Sequence, residues 1–402
     1  MDNHIFLLAI TTYVVILTFA NLINKYLRMP WMFTVVMYGI FLAATGLFKE
    51  TFESSNFLFL SQLGMLFFLF TIGVDLDLKK IRQLGKYIVF GNILLTLTEG
   101  AILGGVFYIF FPEFVNQSIL VALLAGIAFG TVGEVILLAI LKEFGLEKTQ
   151  FGQLALGIGV FDDIFEIGVL ALIVALPAFF QNGATNESWF LSIRILLILA
   201  GIILASFLFT KVGSLLKTRF EKLNPNTFTA PFIIFLVIFS FFHFSSVEFE
   251  SMSVIAAIFS GIAVQGLLPE NIVAQYKKPI YFIGNMFLGP FFFLSLGNKI
   301  SFDSLLNLPG LILLIVTISI VVRVSISYLL FNKILGKEQS AVLGVGLCAK
   351  FSTSVISENL LFTSGLITAP LYSAIMAAFI LMKPVIIGVF SRSLAIIKDQ
   401  ID

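Results

Sequence analysis

Two adjacent aspartates, Asp162 and Asp163, stand in the apolar stretch GQLALGIGVFDDIFEIGVLALIVALPAFF, with Glu166 one helical turn further on. Insertion into bilayer hydrocarbon costs about 2.5–3.5 kcal/mol for each such charge, so carboxylates kept at mid-membrane are kept for use. On a helix, residues three and four apart share a face, which brings Asp162, Asp163 and Glu166 close together. Like charges so close in a low dielectric cannot all stay ionised. One of them must hold a proton or a hard cation, which prefers oxygen ligands. Occupancy by one or the other, never both, is the physical core of antiport.

Further polar groups sit in other apolar runs. GIAFGTVGEV has Gly126, Gly130 and Gly133 around Thr131, followed by Glu134; CAKFSTSVISEN has Lys350 before Ser352, Thr353 and Ser354. Glycines and hydroxyls at mid-depth are what interrupted helices require, because freed carbonyls and N–H groups must find partners locally. Glu99 and Arg323 are each buried in an apolar run. Arginine does not deprotonate in proteins, so Arg323 suits holding a carboxylate rather than carrying a proton.

The whole chain fits this reading. Of its 402 residues, 59% are hydrophobic and 12% charged, and mean hydropathy is +1.07. A soluble domain of that composition would expose too much apolar surface, which leaves a polytopic membrane protein. The net charge of +1 and the lack of a basic tract give no reason to expect nucleic acid as a partner. The single Cys348 excludes an internal disulfide and any cysteine metal cluster. No phosphate-binding loop, metal-ligand histidine cluster or nucleophile elbow is present, so enzymatic activity and a resident cofactor are not expected.

A hydrocarbon core about 30 Å thick takes roughly 20 apolar residues per helix. On that basis the sequence predicts thirteen transmembrane helices, near 4–24, 29–48, 57–74, 86–111, 118–141, 151–180, 189–210, 230–244, 252–268, 280–297, 309–331, 339–362 and 368–391. The first run lacks a basic n-region and a small-residue cleavage site, so it reads as a retained helix. Loop charges set the orientation: eighteen Lys and Arg fall on one side, and only Lys49 and Lys299 on the other. The positive-inside rule then predicts an outside N-terminus and a cytoplasmic C-terminus in a plasma (inner) membrane. Eleven residues follow the last predicted span, so one membrane domain over 1–402 is expected, with no C-terminal soluble regulatory domain.

The chain also carries a weak internal repeat. FFLFTIGVDLDL at 67–78 matches FFFLSLGNKISF at 291–302 at an offset of 224, and two shorter matches follow at 220. Helix 3 pairs with helix 10, an odd separation, so the copies (about 57–180 and 280–391) cross the membrane in opposite senses. This is the inverted-repeat plan of secondary transporters, whose site lies between the copies near the midplane. The same offsets set Glu99 opposite Arg323, and the Asp162–Asp163 pair opposite Met382–Lys383.

The FTIGVDLDL segment, the mid-membrane DD, FFFLSLGNKI and the charged twelfth span together resemble the monovalent cation:proton antiporters, most of all the bacterial sodium/hydrogen exchanger and Kef-like potassium-efflux branch. The resemblance covers essentially the whole chain. It implies an all-α fold with inverted repeats and two interrupted helices crossing at the midplane, a core moving against a dimerisation domain, and a homodimer in membrane lipid. By resemblance Asp163 is the shared cation- and proton-binding residue, and Asp162 precedes it and pairs with the basic residue at 323. Thr131 lies in the first helix crossover, and Lys350 is the basic residue of the second. Two departures stand out: Arg323 occupies a position where several charge-moving members have lysine, and no acidic residue follows Lys350 directly. Glu134 is accordingly expected to be the partner of Lys350, with Glu166 adding to charge balance. The reading is a secondary transporter exchanging Na⁺ or K⁺ for H⁺. The alternatives are a channel-like potassium pathway and a non-transporting sensor on the same fold.

Overall fold

A computed structural model describes residues 3–27, 29–76, 85–132, 137, 141, 144–146, 149–181, 186–220, 229–246, 252–350 and 353–401. All the regular elements among the described residues are helices. Among the described residues, each predicted span contains helix: α1 (His4–Tyr26), α2 (Trp31–Thr45), α3 (Ser55–Asp75), α4 (Lys86–Phe110), α5 (Ile119–Phe129), α6 (Gln150–Gln181), α7 (Asn186–Phe220), α8 (Thr229–Ser246), α9 (Met252–Leu267), α10 (Glu270–Asn298), α11 (Pro309–Leu335), α12 (Lys337–Gly346), α13 (Thr353–Thr363) and α14 (Ala369–Ile401). Seven described helices are long and apolar enough to cross a bilayer alone, and four more are apolar but shorter. The structure thus supports a multi-pass all-helical protein without fixing the count at thirteen.

The helix boundaries have local causes. Ser54 and Ser118 cap α3 and α5, their hydroxyls accepting from Phe57 N at 3.3 Å and Val121 N at 3.4 Å. Pro309 opens α11, where its missing N–H costs nothing, and Gly336 closes it at φ 83°. The tenth helix starts ten residues before its predicted boundary of 280. Its first turns, ENIVAQYKKPIY, alternate polar and apolar faces. They fall below the hydropathy of a membrane span while remaining good helix.

The chain divides into two compact units. One comprises residues 1–9, 48–76 and 174–295. Its centre is α9, which is buried on nearly every side and packs against α3, α7 and α8. Glycine makes that packing close: a Cβ on Gly73 of α3 would strike the Ile258 carbonyl, and one on Gly261 of α9 would strike that of Phe70. The other unit comprises residues 10–47, 77–173 and 296–402. There α4 and α5 pack backbone to backbone through Gly100, Gly104 and Gly126. The α11 helix lies against α4, α12 and α14, and α13 against α5 and α14. Many large side chains elsewhere, such as Leu17, Phe232, Phe244 and Leu329, point outward, as lipid-facing residues do.

Two predicted spans are interrupted in this second unit. The α5 helix ends at Phe129, where Gly130 N bonds the carbonyls of Gly126 (3.0 Å) and Ile127 (2.9 Å), and Thr131 and Val132 leave helical geometry. The other break follows α12: Cys348 N bonds Val345 O at 3.1 Å, Ala349 N bonds Gly346 O at 2.9 Å, Ala349 and Lys350 lie outside regular helix, and helix resumes at Thr353.

Candidate functional site

The two breaks, α4, α6 and α11 bring together a fully buried polar cluster inside the second unit. On α4, Asn92, Thr96 and Glu99 fall at i, i+4 and i+7 on one buried stripe. On α11, Ser319, Arg323 and Ser327 do the same at i, i+4 and i+8. Packing α4 on α11 sets these stripes face to face.

Arg323 is the hub. Its Nε donates to Glu99 Oε2 at 2.6 Å, its Nη1 to the Leu347 carbonyl at 2.9 Å, and its Nη2 to the Gly130 carbonyl. Gly130 and Leu347 close the helical segments that precede the two breaks. Carbonyls there lack intrahelical donors and carry the negative ends of the helix dipoles. One guanidinium therefore caps both interrupted helices while pairing with Glu99. Lys350, at the second break, donates to the other oxygen of Glu99 and lies 4.0 Å from the centroid of the Phe129 ring. Glu99 thus answers two buried cations, and none of the three has more than 1% of its surface exposed.

A second group of oxygens adjoins the first break. Asp162 accepts from the backbone N–H of Val132 through Oδ2, and its Oδ1 is 3.3 Å from the Thr96 hydroxyl. Glu166, one turn along α6, accepts from Thr131 Oγ1 at 3.0 Å and from Thr353 Oγ1. Thr131 also meets Ser354 hydroxyl to hydroxyl, linking the first break to the start of α13. Two carboxylates and three hydroxyls, all nearly fully buried, converge on the crossover of the interrupted helices. They are hard oxygen ligands of the type that suits an alkali cation, and the carboxylates are also proton acceptors. Among the described residues, no three His, Cys, Asp or Glu side chains gather as a resident metal centre.

Of the residues singled out by sequence, Asp162, Thr131, Glu166, Arg323 and Lys350 come together here. Asp163 lies in α6, but its side chain falls outside the described residues, as does all of Glu134. One expected pairing is corrected. Arg323 bonds Glu99 rather than Asp162, because α4 presents Glu99 directly to α11 while Asp162 is taken up by Val132 and Thr96. Lys350 also meets Glu99, and its expected partner Glu134 lies outside the described residues. The repeat had already set Glu99 opposite Arg323: the pair spans 224 positions, the offset of the longest internal match.

The family model described as sodium/hydrogen exchanger, transmembrane, matches residues 11–395. The chain is 25% identical over 368 residues to a protein named Probable Na(+)/H(+) antiporter 3 of Methanocaldococcus jannaschii, covering 89% of this chain and 88% of that one. It is 24% identical over 385 residues to the Na(+)/H(+) antiporter of Enterococcus hirae, covering 93% and 95%. Over 331 residues it is 26% identical to the Na(+)/H(+)-K(+) antiporter GerN of Bacillus cereus, covering 80% and 79%. Among solved structures, the sodium proton antiporter MjNhaP1 of Methanocaldococcus jannaschii superposes with a TM-score of 0.58 at 15% identity, covering 98% of this chain and 97% of that one. That likeness bears on the fold.

Proposed function

This chain belongs to the transmembrane sodium/hydrogen exchanger family, and we propose that it exchanges Na⁺ or K⁺ for H⁺ by alternating access, with Asp163 as the shared cation and proton site. Asp162 and Thr131 complete the binding site beside it. Arg323, Lys350 and Glu166 balance its charge. The observation that carries this reading is the meeting of Asp162, Glu166, Thr131, Thr353 and Ser354 at two helix breaks. At such a place a cation gains oxygen ligands only when the carboxylates give up their protons, so the two ions exclude each other. Sodium is supported by the names of the relatives, and potassium by that of the Bacillus cereus protein.

The fixed charges define what moves. Arg323 spends three donors on Glu99 and two helix-end carbonyls, so it holds the breaks in place and does not shuttle a proton. This favours electroneutral exchange. The basic loops support an outside N-terminus and a cytoplasmic C-terminus in a plasma membrane, and the family resemblance supports a homodimer.

The test is proton flux in proteoliposomes carrying an internal pH dye, on addition of Na⁺ or K⁺, with and without a clamped potential. Cation-driven pH change that disappears in Asp163→Asn is the expected result. Normal exchange in that variant would refute the assignment of Asp163. Cation uptake with no coupled proton movement in the wild type would refute antiport and favour a channel.

A further inference from the structure

A carboxylic acid that the exchange site does not use lies on α13. Glu358 is fully buried, and among the described residues neither of its carboxyl oxygens has a hydrogen-bond partner. A buried polar group left without a partner is rare in native structures and calls for an explanation. Buried and unpartnered, an ionised carboxylate costs far more than a neutral acid.

Among the described residues, its surroundings supply no counter-ion in contact. The α13 helix packs against α5 and α14. The α5 segment, ILVALLAGIAF, carries no titratable side chain. The α14 helix offers Tyr372 and Lys383. Tyr372 donates its hydroxyl to the Leu296 carbonyl at 3.3 Å and stacks on Phe362 at 4.7 Å. Lys383 Nζ lies 5.5 Å from the centroid of the Phe33 ring. Lys350, at the break ahead of α13, is held by Glu99, and Lys299 donates to the neighbouring Asn359 at 3.0 Å.

Position completes the argument. Glu358 is five residues from Thr353, where α13 begins, and five from Thr363, where it ends. At 1.5 Å per residue it stands about 7–8 Å along the helix from either end. Ser354 is four residues earlier on the same face, at a Cβ separation of about 5–6 Å. Ser354 meets Thr131, and Thr131 donates to Glu166. A row of exchangeable groups therefore leads from the cation site through Thr131 and Ser354 towards Glu358, halfway along the second half-helix. The last step is spanned by proximity on one helix face and not by a hydrogen bond.

We propose that Glu358 is a second proton-binding carboxyl, which relays protons between the central cluster and the Thr363 end of α13. This rests on the exchange reading above. A proton leaves the Glu358 carboxyl along the Ser354 and Thr131 hydroxyls to the central carboxylate, and Glu358 takes a replacement from water at the Thr363 end. Each hydroxyl gives up its own proton as it accepts the next, so both end neutral and no heavy-atom bond changes.

The test uses the full chain in liposomes as wild type, Glu358→Gln and Glu358→Asp. Infrared difference spectra across a pH jump, with no added cation, should show a carboxylic-acid C=O band that Glu358→Gln lacks and Glu358→Asp keeps at a shifted frequency. Proton movement driven by a Na⁺ gradient should slow at least about tenfold in Glu358→Gln at alkaline pH, and recover in Glu358→Asp. Equilibrium Na⁺ binding in detergent should not change. A Glu358→Gln protein with the wild-type band and wild-type rates overturns the proposal. So does one that loses Na⁺ binding and melting temperature in step with rate, since that marks a packing role. If the wild type exchanges nothing yet the band still vanishes in Glu358→Gln, the antiport reading falls and the proton site stands.

Discussion

Glu99→Gln is the sharpest single perturbation of the buried cluster. The substitution keeps the side-chain shape and removes one charge that faces two cations, Arg323 at 2.6 Å and Lys350 on the other oxygen. Removing one member of a buried ion pair costs about 3–5 kcal/mol, mostly through the charge left behind. The two cations are not stranded equally. Arg323 retains the carbonyls of Leu347 and Gly130, whereas Lys350 keeps the face of Phe129 at 4.0 Å. A cation over a desolvated aromatic face recovers only about 2 kcal/mol. Most of the loss should therefore come from Lys350, and Glu99→Gln/Lys350→Met should be more stable than Glu99→Gln alone. The assay is a double-mutant cycle on melting in detergent, in which contacting residues couple by about 0.5–3 kcal/mol. Additive losses, or a Glu99→Gln protein as stable as wild type, would refute the pairing and return Lys350 to another partner.

Two further predictions follow from packing and burial. Gly126→Ala should lower the melting temperature markedly, because its Cβ would strike the backbone of Gly100 and Gly104 on α4, an overpacking cost of about 1–3 kcal/mol; Gly168→Ala, with open space at its Cβ, serves as the neutral control on α6. Lys299, just beyond α10, has its ammonium lowered to about 8 by burial. The folded chain then binds fewer protons there than the unfolded chain between pH 8 and the ordinary lysine value of about 10.4, so stability rises with pH across that window. The melting temperature of wild type minus that of Lys299→Met should grow over the same range, and a flat difference would refute the buried ammonium.

Much of this architecture can be read from residue types. Gly130 and the Lys350–Ser354 run mark both breaks, since glycine and hydroxyls at mid-membrane depth announce freed backbone groups. The repeat offset located the Glu99–Arg323 pair before any contact was known. Partner choice was harder. Spacing along one helix fixes which residues share a face, but not which neighbouring face they meet, so it does not choose between Asp162, the partner the resemblance implies, and Glu99 for Arg323. The stripe Asn92–Thr96–Glu99 at i, i+4 and i+7 was the available signal, because three polar residues on one face of an apolar helix must meet polar groups opposite. Glu358 escaped notice because SVISEN reads as ordinary helix interior. Its spacing of four from Ser354 becomes informative only once Ser354 is known to touch the site.

The capping role of Arg323 can be separated from its charge by Arg323→Lys. Its guanidinium reaches Glu99, Leu347 and Gly130 in three directions from one rigid plane. An ammonium on a flexible stem is a point charge and cannot match that fork. Lysine would keep the ion pair with Glu99, leave the Leu347 carbonyl without a donor, and leave the Gly130 carbonyl only the long contact from Thr96 Oγ1 at 3.4 Å. A buried group abandoned outright costs about 1–3 kcal/mol, so the loss is about that for Leu347, with a smaller share from Gly130. If the charge alone mattered, Arg323→Lys would melt like the wild type and Arg323→Gln would not. If capping dominates, both variants lose comparable stability, and the lysine variant also loses exchange because Thr131 and Lys350 no longer sit on fixed breaks. Wild-type melting and exchange in Arg323→Lys would refute the capping argument. It would also remove the structural reason for assigning Arg323 to the scaffold rather than to the proton path.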